Sequence, residues 1–124
     1  MAAFYVRFDQ LPVDHAHGML CNYVGLLQLY EATDDDGYLA RVESRWEALL
    51  EGGYINPAGG ILEKCRVKFF RDEGCSIVDW LRLNFQLARL TGKTRYWEMA
   101  ERTIHNRNRS SGVALFRSQC RRRL

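Results

Sequence analysis

Gln28–Glu43, QLYEATDDDGYLARVE, and Gln86–Glu101, QLARLTGKTRYWEMAE, decide the fold. At a constant offset of 58 residues and without a gap, Gln28, Leu29, Thr33, Tyr38 and Glu43 recur as Gln86, Leu87, Thr91, Tyr96 and Glu101. Upstream of the first copy's turn, Met19, Leu20, Tyr23, Val24, Leu26, Leu27 and Tyr30 return at three- and four-residue steps, the period of an α-helix, from about Asp14 to Ala32. The polar turn Thr33 to Gly37 breaks the pattern. A second helix is then expected from Tyr38 to about Glu51, with Leu39, Val42, Trp46, Leu49 and Leu50 on one stripe and Gly52-Gly53 as its stop.

The second copy repeats the plan. A third helix is expected from about Gly74 to Leu90, closed by Thr91-Gly92, and a fourth from about Thr94 to Asn106, with Tyr96, Met99, Ala100, Thr103 and Ile104 facing inward. Between the two hairpins, residues 52–72 read as irregular, and only CRVKFF, Cys65 to Phe70, alternates like a strand. The expectation is an all-α protein of two or more αα-hairpins. Hairpins of this length that repeat imply a stacked or circular array, because each buries its apolar face against the next.

Composition agrees with one packed domain over residues 1–106. The chain has 124 residues, 47% of them apolar, and no apolar run approaching the ~20 that span a bilayer. The opening MAAFYVRFDQLPVD lacks the basic head and apolar stretch of a signal peptide, so a cytoplasmic protein is expected. Residues 1–101 carry 11 basic and 15 acidic side chains, whereas residues 102–124 carry seven arginines and no acid. The stretch 107–124 reads as a basic, solvated tail, because no recognition-helix pattern or stacking platform accompanies it to favour nucleic acid. Cys21, Cys65, Cys75 and Cys120 show no CxxC pair and no disulfide-framework spacing, which leaves free thiols or a metal site.

Shifting Glu73 and Cys75 back by the repeat offset lands on His15 and His17. Both hairpins therefore carry a two-residue pair of metal-binding or acid–base groups at the same helix entrance. Asp14 and Asp72 offer a plainer alternative, in which they are N-caps and the neighbours are bystanders. On a regular helix, residues i and i+2 point about 200° apart, so Glu73 and Cys75 can share an ion only if Glu73 lies in the non-helical cap.

From Glu73 to Asn106 the chain resembles glycoside hydrolase family 127, the β-L-arabinofuranosidase-like enzymes, in which an E-x-C helix leads to an LTG turn and an ERT motif. The earlier motifs agree in order: His15, then YVGLLQLYEATDDDGYL, then Arg45-Trp46, Tyr54-Ile55 and Gly59-Gly60-Ile61. The resemblance implies a six-hairpin (α/α) toroid, zinc bound by Glu73 and Cys75, His15 against an arabinofuranoside-like sugar, and Glu63 as general acid/base. It also implies a nucleophilic zinc-bound cysteine from an adjacent Cys-Cys pair, and this sequence has none. The chain is thus expected to be a fragment-like relative, inactive alone. It would be completed by another fragment or by self-association, or would serve as a non-catalytic helical interaction module. Trp46 reads as core, whereas Trp80, further along the same helix as Glu73, is a candidate for the cavity wall, with Asp79 and Asn84 as polar neighbours.

Overall fold

In the computed structural model, residues 15–63 and 73–106 are described, and they form four helices. These are α1 (Ala16–Thr33), α2 (Asp36–Glu51), α3 (Gly74–Thr91) and α4 (residues 94–106). The fold is all-α and built of helical hairpins, α1–α2 and α3–α4. An isolated bridge between Ile55 and Ile61 is the only strand-like pairing among the described residues. The strand-like CRVKFF, Asp14, Asp72, Cys65, Cys120 and the tail 107–124 lie outside them.

The two hairpin turns are chemically the same turn. Thr33 and Thr91 each donate Oγ1 to the carbonyl four residues back, Leu29 and Leu87, at 2.7 Å. Each hydroxyl then accepts an N–H two residues on, from Asp35 at 3.4 Å and Lys93 at 3.2 Å. The next residue closes the helix in the left-handed conformation, Asp34 at φ 55° and Gly92 at φ 69°, returning its N–H to Tyr30 and Ala88. Aspartate is among the few side chains that tolerate this region, so it can stand where the second copy has glycine. Asp35 caps α2 by accepting the Gly37 N–H at 2.9 Å, which starts that helix at Asp36, two residues before the expected Tyr38.

Three contacts fix how the hairpins stack. His15 meets Glu73 at 3.6 Å, Cys21 meets Asp79 at 3.8 Å, and Glu31 meets Arg89 at 2.5 Å. Every pair is separated by 58 residues, the repeat offset, and the pairs ascend both helices together. Helices α1 and α3 therefore lie side by side, parallel and in register, with equivalent positions touching. On the other layer, α2 meets α4: Glu43 accepts from Lys93 Nζ at 2.6 Å and from Tyr96 Oη at 2.7 Å, and Glu47 pairs with Arg95.

Between the layers, Trp46 lies stacked on Trp80, with centroids 6.2 Å apart, and edge-on to Tyr96 at 4.9 Å. Such aromatic pairs add about 0.5–1.5 kcal/mol each beyond their buried area. Their polar edges are satisfied: Trp46 Nε1 donates to Asn84 Oδ1 at 2.8 Å, Asn84 Nδ2 to the Trp80 carbonyl at 2.8 Å, and Trp80 Nε1 to the Gly59 carbonyl at 3.0 Å. Thr103 Oγ1 donates to the same Gly59 carbonyl at 2.8 Å. The connection after α2 is thus pinned between α3 and α4, and Ile61 and Leu62 bury themselves beneath it. At the end of its described part the Glu63 carbonyl accepts the Ala16 N–H at 2.8 Å, at the first turn of α1.

Candidate metal centre

The N-caps of α1 and α3 are His15 and Glu73, not the preceding aspartates. Both residues are extended, at φ −151°, ψ 111° and φ −103°, ψ 147°, and neither side chain caps a backbone N–H of its own helix. That leaves imidazole and carboxylate available to each other across the two helix entrances. Glu73 Oε2 is the middle of the arrangement, 3.6 Å from His15 Nε2 and 3.4 Å from the Cys75 thiol that donates to it. The non-helical cap required for an E-x-C pair to converge is therefore present. Cys75 is exposed and free.

A second group lies one turn deeper in the same seam. His17 Nδ1 is hydrogen-bonded to Asp79 Oδ2, and the Cys21 Sγ lies 3.8 Å from that oxygen and 3.9 Å from the imidazole nitrogen. Among the described residues, His17, Cys21 and Asp79 form the one trio whose ligand atoms all lie within 4.8 Å of one another. His15 and His17 join the two groups, their rings edge-to-face at 5.7 Å. Partial shielding of Sγ between the helices, and then the Asp79 carboxylate, push the Cys21 thiol above its usual range, so at neutral pH it is a proton donor.

The donor set fits a borderline cation. Zinc binds imidazole, thiolate and carboxylate at about 2.0–2.3 Å, which sets neighbouring ligands of a tetrahedron about 3.3–3.8 Å apart. The separations of 3.4, 3.6 and 3.8 Å lie at that spacing and 3.9 Å just beyond it, whereas His17 and Asp79, in direct hydrogen-bond contact, would have to part to share an ion.

Glu63 reaches this entrance through its backbone, since its carbonyl holds the Ala16 N–H. Glu63 as a whole is half-buried and makes further interactions. Trp80 departs from its expected place on a cavity wall: it is wholly buried, and its indole N–H is spent on Gly59. Asn84 is likewise a core residue serving Trp46, while Asp79 does belong to the centre. The sequence reading left Cys21 as a free thiol or metal ligand and Asp79 as a polar neighbour, without joining either to His17. Two signals pointed to them: Cys21 follows His17 by four residues, one helical turn, and Asp79 is the repeat equivalent of Cys21.

No described helix is long and apolar enough to cross a membrane. No family model, curated protein or solved structure matches the chain.

Proposed function

We propose that the paired entrances of α1 and α3 bind one zinc-type divalent cation, on a scaffold that is part of an (α/α)-toroid glycosidase-like architecture. The observation that supports this reading is the trio His17, Cys21 and Asp79, whose ligand atoms lie within 4.8 Å of one another, beside His15, Glu73 and Cys75 at the adjoining helix entrances. Bound zinc would supply a Lewis acid and hold thiolates as such. The chain's own residues do the rest. Cys21 would give up its thiol proton, His17 would offer Nδ1 and Asp79 its carboxylate, while Glu73 would contribute from the adjoining entrance, where it meets His15 and Cys75. Because protons leave, binding tightens as pH rises.

Within the family resemblance, His15 would contact an arabinofuranoside-like sugar and Glu63 would protonate the leaving oxygen. The attacking thiolate has no counterpart here, since no two cysteines are adjacent in the sequence. The chain is therefore read as a partial hydrolase, without turnover by itself.

Titration of the purified chain with cobalt(II), followed by thiolate-to-metal charge-transfer absorption, and with zinc, followed by calorimetry, tests the site. One metal per chain and proton release are expected. Cys21→Ser, Asp79→Asn and Glu73→Gln should each weaken binding by at least about tenfold, since even residues that only orient metal ligands contribute that much. Absence of saturable binding at every pH tested between about 6 and about 8.5 overturns the site. Release of an aryl arabinofuranoside that depends on both zinc and Glu63 would instead make the isolated chain an enzyme.

A second reading, a non-catalytic helical interaction module, is favoured by a separate observation. Val78, Phe85 and Trp97 stand exposed on the face of α3–α4 away from α1.

A further inference from the structure

The repeat relates every residue of α3 to one of α1, and their exposures invert along two stripes. Leu20, Tyr23, Val24 and Leu27 of α1 are buried, whereas their equivalents at the offset of 58, Val78, Leu81, Arg82 and Phe85, are exposed or half-buried. Leu20 and Leu27 are 0% accessible, while Val78 and Phe85 are 64% and 38% accessible. With Trp97, whose ring packs against Phe85 at 5.4 Å, these residues line an open apolar groove of about 740 Å³. The groove is thus the surface with which α1 receives α3, reproduced on α3 with nothing among the described residues received.

The opposite stripe is reversed. Asp79, Trp80, Leu83 and Leu87 of α3 are buried, and their equivalents Cys21, Asn22, Gly25 and Leu29 of α1 are exposed or half-buried. A Cβ added at Gly18 or Gly25 would meet nothing within 4 Å, so there is open space over this face as well.

We infer that the α3 groove docks the outer face of α1 of a second copy, continuing the hairpin array head to tail. This rests on the interaction-module reading and names its partner. Arg89 lines the groove and keeps its side chain more than half exposed while it meets Glu31 within the chain, so it would also meet Glu31 of the second copy, an acid against a base in the register of the internal stack. Bulky Val78 and Phe85 would face a stripe relieved by Gly18 and Gly25, which lets the two helices approach closely. Gln86, whose buried Oε1 has no hydrogen-bond partner, would receive a donor there. The chain's own residues 107–124 are a poor occupant, because their arginines repel the Arg82 and Arg89 that flank the groove.

Sedimentation velocity of the full chain across a concentration series provides the test. The sedimentation coefficient of the wild type should rise with concentration. Phe85→Glu, on the groove, and Gly25→Arg, on the opposite face, should each weaken self-association at least about tenfold, as burying an unpaired charge does. Mixed together, the two variants should form a 1:1 dimer and nothing larger, since each retains one intact face. If Phe85→Glu loses its helical circular dichroism, Val78→Lys takes its place, at a site already mostly in solvent. Wild type that associates while the mixture stays monomeric overturns head-to-tail docking but leaves an interaction module standing. Wild type that stays monomeric at every concentration overturns both.

Discussion

Single atoms set the tightest constraints at Gly59. Its φ of +88° is open to glycine, and a Cβ there would lie 3.0 Å from Thr103 Oγ1, 3.1 Å from the Thr103 nitrogen and 3.2 Å from Arg102 Cγ. One of those neighbours is backbone of a packed helix and cannot swing away. Gly59→Ala should therefore destabilise the fold by about 2 kcal/mol, read from urea unfolding, and weaken the Trp80 and Thr103 hydrogen bonds to its carbonyl. The helix entrances are arranged at the same scale. His15 and Glu73 cap their helices with backbone only, and their side chains meet across the two N-caps at 3.6 Å.

Between elements, the Glu43 carboxylate ties the two hairpins, holding Lys93 and Tyr96 from α4. Burial alone would raise its pKa, but the hydrogen bonds from Lys93 and Tyr96 and the nearby Arg95 win, and the carboxyl lies below its ordinary value of 4.5. Burial and the Glu43 acceptor together push the Tyr96 hydroxyl up, keeping it a donor. A carboxyl lowered in the folded state stabilises fully above its unfolded value, and that contribution is lost as pH falls through the folded one. Glu43→Gln should therefore cost about 1–3 kcal/mol at pH 7 and much less near pH 3, where wild type and variant unfold alike. Urea melts at the two pH values check this, and a cost that is independent of pH would remove the carboxylate from the clamp.

Over the whole molecule, the two hairpins share one core. Trp46 from the first hairpin stacks on Trp80 and abuts Tyr96 from the second, with Leu27, Leu49, Leu83 and Leu87 packed around them. Neither hairpin can shed its partner without exposing both tryptophans. Leu83→Ala, at a wholly buried position, should lower stability by about 3 kcal/mol. Tryptophan fluorescence and helical circular dichroism should still report a single coincident transition. Two separated transitions would mean the hairpins are independent units.

Helix positions were legible because apolar period and turn chemistry are local: Thr33 and Thr91 close their helices by bonds to residues within four positions. The repeat offset pointed to the entrances where His15, Glu73 and Cys75 meet. The structure adds that residues of α1 and α3 that touch are separated by the repeat offset, since equivalent units stacked in parallel bring equivalent positions together. What the sequence by itself determined about this protein is therefore its hairpins, their repeat and the place where ligating groups gather. Tertiary structure alone decided that the N-caps are His15 and Glu73, that Cys21 and Asp79 complete a compact trio with His17, and that Trp80 belongs to the core. Those outcomes depend on the azimuth at which α3 leans on α1 and on the loop that brings Gly59 beneath the indole, and no periodicity along one chain encodes the rotation between two helices.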